Sequence, residues 1–132
     1  MRHIKVLLAQ FPLETHSRGI ITVAGMLRDS GMEVVLLGNA TPQQIVETAV
    51  QEDADVIGIS TYVGGELTLS TDLLNEATKK GIRDRTLFLL GGVFPPRSAV
   101  ELQKMGFRGT FPPSSTKEEI VACIEEGMKA WT

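Results

Sequence analysis

Short apolar runs alternate with amphipathic ones along the whole of this 132-residue chain, and no other feature limits its possible folds as much. The runs IKVLLA (4–9), EVVLL (33–37), DVIGIS (55–60), TLFLL (86–90) and the weaker FRGTF (107–111) are rich in Val, Ile, Leu and Phe. A strand with one wet face alternates apolar and polar residues. A nearly unbroken apolar strand is covered on both faces, as in a parallel sheet.

Helical patterns with readable ends fill the gaps. Ile20, Val23, Ala24 and Leu27 form one stripe, with Gly31 as its stop. Thr41-Pro42-Gln43-Gln44 supplies an N-cap, a first-turn proline and a capping-box glutamine for a helix carrying Ile45, Val46, Ala49 and Val50. A third helix over Thr68 to Lys80 puts Leu69, Leu73 and Ala77 on one side and stops at Gly81. A fourth runs from Ala99 to Met105 and stops at Gly106. The fifth opens on a second capping box, Thr116-Lys117-Glu118-Glu119, and carries Ile120, Val121 and Ile124. Five strands and five helices in alternation predict an α/β fold. It is a doubly wound, five-stranded parallel sheet with right-handed crossovers and the flavodoxin-like strand order 2-1-3-4-5. With no linker, repeat or low-complexity stretch, a single domain over residues 1–132 is expected.

Composition narrows the partners. A net charge of −3 with acids and bases interspersed excludes a general binder of nucleic acid or of an anionic membrane surface. No apolar run approaches the ~20 residues of a membrane span, and no signal peptide opens the chain, so a cytoplasmic setting is expected. The lone Cys123 excludes an internal disulfide and reads as a small buried hydrophobe.

In a doubly wound sheet ligands bind outside the carboxyl ends of the strands. The segments placed there are 10–18, 38–41, 60–66, 91–96 and 111–116. The first is longer than a tight turn requires and carries His16, two residues after Glu14 and three before Gly19. A carboxylate accepting from one ring nitrogen fixes the tautomer and makes the other nitrogen a better metal ligand. The acid-x-His-x-x-Gly pattern is short, so spacing alone leaves both a metal ligand and a solvated loop histidine open. His3, the other histidine, falls at the opposite edge of the sheet. A phospho-acceptor receiver would need acids where this first strand ends in LLAQ. A flavodoxin would need a hydroxyl-rich loop where QFPLETH offers one threonine, and the only tryptophan is Trp131.

Four segments in order, KVLLAQFPLETHSRG, LRDSGMEVVLLG, TPQQIVETAVQEDADVIGIS and LLGGVFPP, carry a likeness extending from Ile4 to Glu126. The chain resembles the cobalamin-binding domain of adenosylcobalamin-dependent acyl-CoA mutases, in the form of the C-terminal domain or separate small subunit of methylmalonyl-CoA mutase and its relatives. The resemblance implies that His16 is the lower axial ligand to cobalt, replacing the coenzyme's own dimethylbenzimidazole. Glu14, Thr15, Ser17, Arg18 and Gly19 would surround it as the cofactor-binding loop. The displaced nucleotide tail would slot between the sheet and its first and last helices. There it would meet Ser60, Tyr62 and Gly91-Gly92, with Gly64 and Gly65 at the entrance and Phe111, Pro113 and Ser115 closing the far end. Catalysis would not reside within this chain. The acyl-CoA would bind a separate large subunit with a (β/α)8 barrel, and the small subunit would not turn over alone.

The chain departs from the family pattern at several positions. Glu14 stands for Asp, Thr15 for Gly, Ser17 for Asp, and Ser60-Thr61-Tyr62 for Ser-x-Leu; Glu66 stands where histidine is frequent, and Pro112-Pro113-Ser114 replaces Gly-Pro-Gly. Two other readings remain at this stage. A corrinoid carrier or cobalamin sensor would ordinarily place a helical bundle before this domain, whereas the first strand opens within a few residues of Met1. A degenerate flavodoxin-like interaction module would explain the departures but not the retention of His16, Gly19, Ser60 and Gly91-Gly92.

Overall fold

The computed structural model describes residues 3–61 and 66–129. Five strands, β1 (Lys5–Gln10), β2 (Glu33–Asn39), β3 (Val56–Thr61), β4 (Leu87–Gly92) and β5 (Gly109–Phe111), form one parallel sheet in the order β2-β1-β3-β4-β5. The helices are α1 (Arg18–Asp29), α2 (Pro42–Glu52), α3 (Glu66–Lys79), α4 (Pro96–Met105) and α5 (Lys117–Met128), with a 3-10 turn at Arg83–Arg85 before β4. The alternating architecture and strand order are those expected from the sequence.

Each face of the sheet has its own core, because successive side chains of a strand point to opposite faces. Val6 and Leu8 of β1 join Val56, Leu87 and Leu89 under Ile20, Ala24 and Leu27 of α1 and Ile120 and Ile124 of α5. Leu7 and Ala9 join Ile57, Ile59, Phe88 and Leu90 under α2, α3 and α4, where Ile45, Leu73 and Leu102 are fully buried. Burying a Leu or Ile side chain of this kind contributes roughly 1.5–3 kcal/mol. Both capping boxes form as expected. The Thr41 hydroxyl accepts from the Gln44 N–H and the Thr116 hydroxyl from the Glu119 N–H, with the reciprocal side-chain bonds in place.

Several boundaries and one core assignment differ from the sequence reading. α3 starts at Glu66 rather than Thr68, and α4 at Pro96 rather than Ala99, since the proline is preset for a first helical turn. Val50 is 41% exposed rather than buried, on the flank of α2 away from Ile45, Val46 and Ala49. β2 continues two residues past Leu37, through an irregularity at Gly38, to end at Asn39. Cys123 is half-buried on α5; burial pushes its thiol up from its ordinary value, with Arg108 pulling the other way. Among the described residues no helix is long and apolar enough to cross a membrane.

The close approach of β4 to β3 fixes one residue type. Gly92 has φ +136, and a β-carbon there would stand 1.8 Å from the Thr61 carbonyl oxygen. Its neighbour Gly91 would bring a β-carbon only to ordinary contact, 3.5 Å from the Phe111 carbonyl. Gly92→Ala is expected to lower unfolding free energy by about 2–4 kcal/mol, combining backbone strain with overpacking. Gly91→Ala is expected to cost less than about 1 kcal/mol; urea denaturation of the two variants makes the comparison.

Candidate functional site

The loop joining β1 to α1 is built on a turn and held from below by two amides. Phe11 is buried, and its carbonyl accepts the Glu14 N–H at 3.2 Å, closing a turn that leaves Leu13 at φ 73 and 87% exposed. Gln10, the buried last residue of β1, donates from Nε2 to the His16 carbonyl at 2.7 Å. Asn39, the last residue of β2, donates from Nδ2 to the Glu14 carbonyl at 2.7 Å and to the Phe11 carbonyl at 3.1 Å.

Between these anchors the Glu14 side chain turns inward and has no exposed surface. Its Oε2 accepts the backbone N–H of His16 at 3.1 Å and lies 2.9 Å from His16 Nδ1. A proton on Nδ1 shared with that carboxylate leaves the ring's lone pair on Nε2, free to act as a ligand. The His16 ring itself is 60% exposed. The loop thus presents an imidazole of fixed tautomer toward solvent while burying the group that fixes it.

His16 lines a groove of about 990 Å3 on the α1 and α5 face of the sheet. The chain switches faces here, with α1 following β1 on one side and α3 following the adjacent β3 on the other. Such a switch leaves a crevice at the carboxyl ends of the strands. Val6, Leu8, Gly58 and Leu89 form the groove's apolar floor. One wall is α1 from Gly19 to Leu27, and the other is the β5–α5 segment with Phe111, Pro112 and Ile120.

Most of the residues expected at the site converge on this groove. Thr15, His16, Ser17, Arg18 and Gly19 line it at the loop, Ser60, Gly91 and Gly92 at the strand ends, and Phe111, Pro113 and Ser115 at the far side. Ser17, at the N-cap position of α1, makes no side-chain capping bond. Away from the loop, two serines on the strand-end and far sides break the apolar lining. Ser60 is buried at the end of β3, and the Ser115 hydroxyl is buried with no hydrogen-bond partner among the described residues. Pro112, one of the departures from the family pattern, lies on the wall of the groove.

Glu14 folds back on His16, the contact that its spacing allows; its carboxylate lies under the loop and not on the groove's lining, so it acts through that residue. Tyr62, Gly64 and Gly65 lie outside the described residues. Sequence reasoning missed three contributors. Gln10 and Asn39 fall within the segments expected at the strand ends but were given no role there, and Gly58 was read only as part of an apolar strand. At Gly58 a β-carbon would meet Leu8 Cδ2 at 2.8 Å, so the missing side chain keeps the floor low.

Comparison with known proteins points the same way. The chain matches the B12 binding domain family over residues 4–121. It is 37% identical over 128 residues to the 2-hydroxyisobutanoyl-CoA mutase small subunit of Aquincola tertiaricarbonis, spanning 96% of this chain and 93% of that one. It is 34% identical over 124 residues to the pivalyl-CoA mutase small subunit of Xanthobacter autotrophicus, spanning 93% and 82% respectively. Among solved structures, a cobalamin-binding protein from Desulfitobacterium hafniense DCB-2 superimposes with a TM-score of 0.81 at 21% identity, over 95% of this chain and 59% of that one. At that identity the likeness speaks for the fold, and the family rests on the sequence matches: this chain belongs to the B12-binding domain family.

Proposed function

We propose that this chain is the cobalamin-carrying small subunit of an adenosylcobalamin-dependent acyl-CoA mutase, with His16 as the lower axial ligand to cobalt. The observation that carries the reading is the His16 ring, exposed at the groove and tied through Nδ1 to the buried Glu14 carboxylate. An imidazole nitrogen suits a borderline metal such as cobalt, and metal-bound histidines usually give their second nitrogen to such a partner. Both mutase small subunits named above align with nearly the whole of this chain, which supports the small-subunit reading.

The groove fits the rest of the cofactor. Its floor and walls are apolar enough for the flat, methylated base of a displaced nucleotide tail, and the Ser60 and Ser115 hydroxyls offer polar contacts along it. The unmatched Ser115 hydroxyl supports a bound polar group at that end, since a buried hydroxyl without a partner costs about 1–3 kcal/mol. Arg18 and Thr15 sit at the rim, where the tail's sugar and phosphate would leave the groove. When bound, adenosylcobalamin supplies the cobalt–carbon bond whose homolysis starts the radical rearrangement. The residues of this chain hold and orient it. Glu14 would hold the Nδ1 proton, Gln10 and Asn39 hold the loop, and the groove would take up the tail. The acyl-CoA would bind a large partner subunit with a (β/α)8 barrel.

Three expected outcomes test the reading. Cob(II)alamin bound to the wild-type chain should show the hyperfine pattern of one axial nitrogen in electron paramagnetic resonance. Nitrogen-15 in the protein's histidines should change that pattern, and His16→Ala should lack it; the same spectrum in all three samples would leave the coenzyme's own base on the metal. Glu14→Ala should weaken cobalamin binding by roughly ten- to a hundredfold, as losing the outer partner of a metal ligand does, with Glu14→Gln intermediate because it keeps an acceptor oxygen; absorbance titration gives the comparison. Assayed alone with acyl-CoA substrates, the chain should show no mutase turnover, and activity without a partner would contradict the subunit assignment.

A further inference from the structure

We propose that Asn39 is a positioning residue for His16, aimed at the site by a bulge in β2; this rests on reading His16 as the cobalt ligand. Along β1 and β2 the pairing runs Leu8 with Leu36 and then Ala9 with Gly38, so Leu37 is an extra residue on β2. Gly38 absorbs the irregularity at φ +89. No atom lies within 4 Å of where its β-carbon would stand, so the backbone angle and not crowding calls for glycine. Past the bulge, pairing resumes with Gln10 opposite Asn39, and the Ala40 N–H donates to the Gln10 carbonyl at 2.8 Å.

An extra residue in a strand reverses the face taken by every side chain beyond it. Here it brings the Asn39 amide beneath the loop. Nδ2 spans the Phe11 and Glu14 carbonyls, the first and last residues of the turn that delivers the Glu14 carboxylate to His16. Both acceptors are carbonyls, so the NH2 group must face the loop. Gln10 grips the same loop at the His16 carbonyl, which leaves the ligand strung between two strand-end amides.

A role confined to folding explains this poorly. Asn39 is exposed, ends an edge strand, belongs to neither hydrophobic core, and makes both of its side-chain hydrogen bonds to the ligand loop. An imidazole on a loop holds a metal well only if the loop cannot swing, and neighbouring hydrogen bonds supply that restraint. Of the residues that orient His16, Glu14 sets its ring, Gln10 holds its carbonyl, and Asn39 fixes the turn that delivers Glu14.

The test uses the full chain as wild type, Asn39→Ala, Asn39→Asp and Asn39→Ser, with hydroxocobalamin reduced to cob(II)alamin as the probe. Asn39→Ala should bind cobalamin about tenfold more weakly, the lower end of the loss expected for an outer partner of a metal ligand, and show less of the protein-nitrogen hyperfine pattern. Asn39→Asp has the same shape without the donor and should be at least as impaired, while Asn39→Ser, which keeps a short donor, should recover part of the loss. Urea midpoints should stay close to wild type, separating positioning from stability. Wild-type behaviour of Asn39→Asp in affinity and spectrum would overturn the inference.

A second readout needs no cobalamin. In the cofactor-free chain, histidine nitrogen-15 shifts should place the His16 proton on Nδ1 in wild type and show mixed tautomers in Asn39→Ala and Asn39→Asp. Unchanged shifts would overturn the role of Asn39 even where the wild-type hyperfine pattern stands. A wild type lacking protein-nitrogen coupling would instead remove His16 as cobalt ligand, leaving the shift comparison to decide Asn39.

Discussion

A carboxylate with no exposed surface, accepting two N–H groups from the residue two places along the chain, is the constraint on which the arrangement of the β1–α1 loop depends. Burying Glu14 is costly unless its oxygens are satisfied, and His16 satisfies Oε2 with both its backbone and its ring. The exposed imidazole therefore has its orientation determined from the interior. Everything else around the loop follows from keeping that carboxylate in place. Phe11 anchors the turn, Leu13 accepts a left-handed backbone, and Gln10 and Asn39 take up the carbonyls that the irregular backbone leaves unpaired.

The sheet supplies the second half of the site. With β1 and β3 adjacent, α1 and α3 leave on opposite faces, and the space beneath α1 extends as a groove toward α5. Small residues at the strand positions keep it open. Gly58 allows Leu8 to lie flat, Gly91 lies on the lining, and Gly92 permits β4 to approach the Thr61 carbonyl more closely than any side chain would allow. Pro112, which stands where the family pattern has a glycine, and Pro113 line the groove's far wall.

The fold was legible in the sequence because burial on both faces gives parallel strands an unbroken apolar signature, and the capping boxes at Thr41 and Thr116 mark helix starts chemically. His16 and its relation to Glu14 were legible for the same local reason, since two residues of spacing suffice for a side chain to fold back. Val50 was misplaced because the edge of a helical stripe is decided by packing, not by period. Asn39 was not legible. Its role depends on an extra residue in β2, on the φ of Gly38 and on a carbonyl 25 positions away, and none of these leaves a pattern in nearby residues. The inward turn of Glu14, which takes it off the groove, is likewise a property of the assembled loop.

The placement of Cys123 carries a chemical consequence. A thiolate is a soft, strongly donating anion that would compete with imidazole for a cobalt centre and attack a cobalt-bound alkyl group. The chain's only thiol is half-buried on α5 against β5, and burial pushes it up from its ordinary value. Half-enclosed on α5 and absent from the groove's lining, that one sulfur nucleophile would not meet a metal centre held at His16.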